Sequence, residues 1–237
     1  MSRRSESAYT LVELLVVILV IFILASIAYP TYTSVTARAR ATQDMNNLRQ
    51  IGVAMQTYLN DHDQVVPASG APPSWPGTTA NPGLYSKYIG GTRKVYQSPF
   101  DKRASLETDA APVSYGINQN IYDKIASNMT AVKSASSTIF IAPNYVGNPT
   151  DPASWSNVSK CGATPANCST ASNAPALPVG APAESSGPQS NGHQINALFC
   201  DLHVEAMTFD SNANPTPGSF KDYQTNPLGV KHWDPTQ

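Results

Sequence analysis

The sequence predicts an α+β protein: one long N-terminal helix, membrane-spanning in its first half, packed against a small antiparallel sheet head with long loops. Three observations predict it. Leu11 to Tyr29 is almost wholly apolar. A three-and-four spacing of apolar residues continues past that run as far as Leu59. Four short segments of strand composition, each with turn-rich flanks, lie further along.

The apolar run of about 19 residues, at ~1.5 Å rise each, spans roughly 28 Å, close to the hydrocarbon thickness of a bilayer. It is preceded by Arg3 and Arg4 and carries one carboxylate, Glu13. A carboxylate is expensive in lipid, and an ordinary anchor has no reason to carry one. The expected compensation is a cationic partner.

Beyond Pro30 the helical pattern resumes. Met45, Leu48, Gly52, Met55 and Leu59 form a stripe that Ile51 and Tyr58 widen. Asp44, Asn46, Asn47, Arg49, Gln50 and Gln56 are expected to cover the solvent side. Pro30 removes one backbone hydrogen bond and predicts a kink rather than an end. Asn60, Asp61 and Asp63 weaken the helix, and Pro67 stops it. The expected element is about 50 residues and roughly 75–80 Å long. Its first half needs lipid or other helices around it; its second half needs a sheet against its stripe.

After the first 65 residues about 170 remain, enough for one domain with its own core. Only 13% of the chain is charged and the net charge is −1, which speaks against a nucleic-acid groove or a polybasic membrane patch. Twenty prolines and fourteen glycines predict long loops, of which 144–189, rich in Pro, Ala and Ser, is the extreme. The strand candidates are 113–117, 138–142, 195–200 and 203–209. Ile195, Ala197 and Phe199 should share one face of their strand, with Leu198 and Cys200 on the other. Asp201-Leu202 then reads as a two-residue hairpin turn, where leucine fits badly because such turns demand positive φ.

The stretch Ser7-Ala8-Tyr9-Thr10-Leu11-Val12-Glu13-Leu14-Leu15 resembles the prepilin signature of type IV pilins and type II secretion pseudopilins. The resemblance implies a leader, residues 1–8, cut between Ala8 and Tyr9, with N-methylation of Tyr9 and Glu13 as the fifth mature residue. Pro30 stands where many members carry a helix-bending proline. Ala8 replaces the usual glycine, and Tyr9 the commoner phenylalanine. The remaining divisions are 9–29 for the membrane and assembly helix, 30–65 for the amphipathic continuation, and 66–237 for the head. Cleavage would create an amine about one helical turn from Glu13. In staggered parallel helices the amine of one copy can meet the carboxylate of another, setting register more than raw stability.

Two other readings compete. Arg3 and Arg4, the segment 14–24 and Ser26-Ile27-Ala28 also fit a secretory signal peptide cut after Ala28. A membrane anchor that never polymerises is the other. In each, the basic residues stay cytoplasmic and the bulk of the chain faces outward.

A second resemblance covers two later patches. His193 through Asp201-Leu202-His203-Val204-Glu205 is similar to the C-terminal signature of a bacterial pseudopilin-like group, with Leu202 in the place of a glycine. Ser98-Pro99-Phe100-Asp101 and Ser114-Tyr115-Gly116-Ile117-Asn118 are similar to its middle region, with Ser98 in the place of a cysteine. Major pseudopilins bind calcium in their heads, but no matching run of oxygen ligands is present. Asp101, Asp109 and Asp123 are scattered and read as solvated.

His193, Asp201 and His203 are the residues from which a catalytic or metal cluster would be built. The chain lacks His-Glu-x-x-His, Gly-x-Ser-x-Gly and a phosphate-cradling glycine loop. Hydrogen-bonded turn residues explain Asp201 and His203 at less cost, so neither an enzyme nor a cofactor is expected. Cys161 and Cys168 bracket six residues in the Pro-rich loop and form the candidate disulfide in an oxidising compartment; no second pair completes a zinc site. Cys200 reads as a small buried hydrophobe. The resulting expectation is a fibre subunit of a type IV pilus or type II secretion pseudopilus. Its expected partners are a prepilin peptidase, other pilin subunits, an inner-membrane assembly platform and, before assembly, the lipid bilayer.

Overall fold

The computed structural model describes residues 10–66, 87–90, 92–102, 113–118, 121, 124–143, 194–208 and 235–236. Ala8, Tyr9, Asp109, Asp123, Cys161, Cys168, His193 and the loop 144–189 lie outside the described residues. The chain divides into two units, Met1–Arg40 and Ala41–Gln237.

One helix, α1 (Leu11–Asp61), runs for 51 residues with Pro30 inside it. Its start follows from Thr10, which precedes Leu11 as an N-cap. Around Pro30, hydroxyl side chains bond backward to backbone carbonyls: Thr31 Oγ1 to Ile27 O at 3.4 Å, Thr33 Oγ1 to Pro30 O at 2.9 Å and Thr36 Oγ1 to Tyr32 O at 2.8 Å. The helix ends without glycine. Asp63 and Gln64 take left-handed φ values of 51° and 62°, and the Gln64 N–H reaches back to Leu59 O at 2.8 Å. That bond satisfies a carbonyl the last turn would leave open.

Four strands form one antiparallel sheet in the order β1-β2-β3-β4. They are β1 (Tyr115–Ile117), β2 (Ile139–Pro143), β3 (Gln194–Phe199) and β4 (Val204–Thr208). All four fall within two residues of the ranges expected from composition. β3 and β4 pair from Gln194↔Thr208 to Leu198↔Val204. Between β2 and β3 the register shifts, from Ile139↔Phe199 to Ile141↔Leu198. Phe140 is the extra residue of this bulge, and its insertion resets the alternation of faces. Phe140 and Ile141 therefore both join the helix-side core, whereas Ile139 and Ala142 join the opposite face.

The main core packs Leu48, Ile51, Met55, Tyr58 and Leu59 of α1 against Tyr115, Ile117, Phe140, Ile141 and Leu198 of the sheet. The far face of the sheet gathers Ile139, Ala142, Ile195, Ala197, Phe199 and Met207. β3 is thus buried on both faces from Ile195 to Phe199, with Asn196 the polar residue on its helix side.

The β3–β4 connection corrects the expected two-residue turn. Leu202 N–H bonds Phe199 O at 2.9 Å, and Phe199 N–H bonds His203 O at 2.9 Å. The loop is therefore three residues, Cys200 to Leu202, and Leu202 carries φ +72°. A turn followed by one left-handed residue is the standard three-residue hairpin, and the left-handed place belongs by preference to glycine. Leucine thus occupies the glycine-preferring place, in a loop one residue longer than the expected turn.

Candidate functional site

The first unit offers an apolar surface. From Leu11 to Leu24 the large hydrophobic side chains are 47–80% exposed, and Ile27, Tyr29, Tyr32 and Val35 are exposed as well. Of the described residues, α1 is the one helix long and apolar enough to cross a membrane. Pro30 lies just beyond this run, inside an unbroken helix.

Glu13 sits in the first turn of α1, and its nearest partner is within the chain. Its Oε2 accepts the Thr10 N–H at 2.8 Å and the Thr10 hydroxyl at 2.8 Å. In return Thr10 Oγ1 accepts the Glu13 N–H at 3.3 Å. This reciprocal pair is a capping box, and the carboxylate also lies at the favourable end of the helix dipole. Beside the cationic partner expected for it, Glu13 thus has a neutral partner in its own chain. Thr10-x-x-Glu13 is the sequence pattern of such a box, and Thr10 is a site residue that attention to Glu13 alone passed over.

The second unit holds a polar junction. Asp44, expected on the solvent side of α1, is wholly buried, and Asn47 is buried with it. Asp44 Oδ1 accepts Ser98 Oγ at 2.6 Å and Tyr115 Oη at 2.5 Å; its Oδ2 accepts Asn196 Nδ2 at 2.9 Å. Burial holds the Asp44 carboxyl above its ordinary range, with the three hydrogen bonds pulling the other way. Burial and the neighbouring Asp44 charge push the Tyr115 phenol well above its own. Asp101, expected to be solvated, is also buried and accepts Ser114 Oγ at 2.6 Å. Ser114 Oγ in turn accepts the Ser98 N–H at 3.0 Å. The two middle patches and the Asn196 strand, separate in sequence, therefore meet around one carboxylate. Ser98 donates its hydroxyl to that carboxylate.

At the β3–β4 loop, Asp201 Oδ1 accepts the His203 N–H at 3.2 Å and lies 2.5 Å from His203 Nδ1. The His203 ring stacks on Phe199 with centroids 4.3 Å apart, and Glu205 Oε2 is 3.7 Å from Nε2. Among the described residues no group of three His, Cys, Asp or Glu side chains is placed to hold a metal ion. A cavity of about 340 Å³ opens beside α1, lined by Arg49, Gln50, Val53, Ala54, Tyr88 and Ile89. Cys200 is a free thiol, half-buried in the turn, and burial raises its pKa.

Comparison with known proteins gives similarity over part of the chain. Residues 3–29 match the family model described as the prokaryotic N-terminal methylation motif. The chain is 33% identical to a type IV major fimbrial protein FimA of Dichelobacter nodosus, over 33% of this chain and 57% of that protein. It is 30% identical to a fimbrial protein of Pseudomonas aeruginosa, over 27% of this chain and 41% of that one. The chain thus spans about half the length of the curated relatives it matches. No solved structure matches it. The chain carries the methylation motif of type IV pilins and is similar to type IV fimbrial proteins.

Proposed function

We propose that the chain is a structural subunit, without a reaction of its own, of a type IV pilus or a type II secretion pseudopilus. One observation carries this reading. The exposed apolar stretch lies within residues that match the methylation motif, and it continues without a break into the helix that forms the core of the head. A prepilin peptidase cuts between Ala8 and Tyr9 and methylates Tyr9. The helix first holds the subunit in the inner membrane, N-terminus cytoplasmic and head periplasmic. An assembly platform then draws it into a fibre with other pilin subunits, the apolar helices forming the fibre core.

Glu13 retains a role in register under this reading. Its Oε2 is taken by Thr10, while Oε1 makes no hydrogen bond among the described residues and is available to a neighbour's amine. The continuity of α1 across Ala28 and Tyr29 supports prepilin processing over a cut after Ala28, which would sever the helix. The test is the mature terminus, read by intact-mass and terminal-peptide mass spectrometry on protein from native membranes. N-methylated Tyr9 is expected; a chain beginning at Tyr29 would overturn the proposal. Glu13→Ala should abolish fibres while leaving the protein in the membrane, and fibres of normal yield would leave only a non-polymerising role for this carboxylate.

A further inference from the structure

Along α1 no acidic residue occurs between Glu13 and Asp44, yet Arg38 and Arg40 fall in that interval, just past the apolar run. With the N-terminus cytoplasmic, as proposed, these arginines stand on the outward side, equal in number to Arg3 and Arg4 on the inner side. Arginine beyond the outer end of a span opposes that orientation, so topology gives no reason for it. We propose that the outward end of the apolar helix is a lipid-headgroup site, in which Arg40, held at headgroup level beyond Tyr29 and Tyr32, binds the phosphate of an anionic phospholipid. The site rests on the reading of α1 as a membrane helix and adds the chemical class of lipid that the helix selects.

Helical spacing brings the three side chains to one side. Tyr32 follows Tyr29 by three residues and Arg40 follows it by eleven, so at ~100° per residue they share an arc of about 80°. The helix is unbroken over this interval, and all three residues are exposed. A tyrosine ring, apolar in its body and polar at its tip, belongs at the boundary between hydrocarbon and water. Arg40 lies about 12 Å beyond Tyr32 along the axis, at ~1.5 Å per residue. Long side chains on a helix lean toward its N-terminus, so the guanidinium reaches back toward the tyrosines. That brings it to the headgroup layer, which is roughly 5–8 Å thick on each side of the hydrocarbon.

The surroundings of Arg40 leave it to a lipid. Among the described residues it makes no ion pair or hydrogen bond. The next acid along the helix, Asp44, is wholly buried, and its carboxylate is turned to Ser98, Tyr115 and Asn196. Arg38 falls on the side of the helix opposite Tyr29 and has an interaction within its own chain, so Arg40 carries the site. A guanidinium offers a phosphate two parallel N–H···O bonds. Phosphatidylglycerol leaves its phosphate charge uncompensated, whereas the choline of phosphatidylcholine neutralises it, so the site favours the anionic lipid.

The test is the lipid retained by the full chain when it is affinity-purified from micelles holding equal amounts of phosphatidylglycerol and phosphatidylcholine, quantified by mass spectrometry. Wild type is set against Arg40→Gln and Arg49→Gln, and Arg3 and Arg4 are common to all three. The retained ratio of phosphatidylglycerol to phosphatidylcholine should be about fivefold lower in Arg40→Gln, the worth of one basic residue at an anionic surface. It should be unchanged in Arg49→Gln, whose arginine lies nine residues further along. An equal ratio in wild type and Arg40→Gln, or an equal loss in Arg49→Gln, would overturn the proposal. Carbonate extraction of vesicles of phosphatidylcholine alone reads the anchor separately, and wild type and Arg40→Gln should both stay with the membrane. A chain washed off would overturn the membrane reading and the site with it, whereas an anchored chain without the Arg40-dependent preference overturns the site alone.

Discussion

A β-carbon placed on Gly52 would stand 3.0 Å from Leu198 Cδ1, so the helix backbone presses directly on the central strand β3. Leu198 is wholly buried and has little room to retreat. Gly52→Val should therefore destabilise the head by roughly 1–3 kcal/mol through overpacking, despite valine's better helix propensity. Chemical denaturation in detergent reads this as a lower midpoint. An unchanged midpoint would mean the strand yields freely.

Leu202 holds a left-handed backbone that an L-residue adopts at a cost of about 1–2 kcal/mol. Its side chain also packs on the edge of the main core, so a direct comparison with glycine mixes two effects. Comparing Leu202→Ala with Leu202→Gly removes the side chain in both. The glycine variant should be the more stable by about 1 kcal/mol. Equal stabilities would argue that the loop relaxes to a different turn.

Variants of the Thr10–Glu13 pair separate helix capping from the proposed assembly role of the same carboxylate. Thr10→Ala should cost about 1 kcal/mol of local helix stability, seen as faster hydrogen exchange in the first turn of α1. Glu13→Gln preserves an acceptor for the cap but removes the charge. Slow first-turn exchange together with failed fibre formation in Glu13→Gln would assign assembly to the charge. Normal fibres in that variant would assign it to the cap.

Cys200 should resist alkylation in the folded chain. Burial, and secondarily the nearby Asp201 charge, raises its pKa, and the thiolate is the reactive form. Peptide-resolved iodoacetamide labelling at pH 8 should proceed at least roughly tenfold more slowly in native than in denatured protein. Comparable rates would show that the turn opens readily.

The helix and the strands were legible because each writes its period into a local stretch of sequence. Leu48, Ile51, Met55 and Leu59 follow one another at helical spacing, and Ile195, Ala197 and Phe199 alternate as a strand should. The junction was not legible for the opposite reason. Asp44 sits on a helix where charge ordinarily marks solvent, and the residues that compensate it lie 54, 71 and 152 positions away. The Phe140 bulge was hidden likewise, since a shift of register is a property of two strands rather than one. Thr10 is a different case: its pattern was local and complete, and the unusual acid beside it drew the attention instead.

The threonines that follow Pro30 have a consequence for transfer between surroundings. Each hydroxyl finds its acceptor on its own helix, and Glu13 finds Thr10 in the same way. The threonine hydroxyls ask their environment for no hydrogen bond, and Glu13 alone keeps an oxygen, Oε1, open to a partner. Under the proposed function, leaving acyl chains for a sheath of other helices then amounts mainly to exchanging one set of dispersion contacts for another, and the threonines can change solvent without changing their internal bonding.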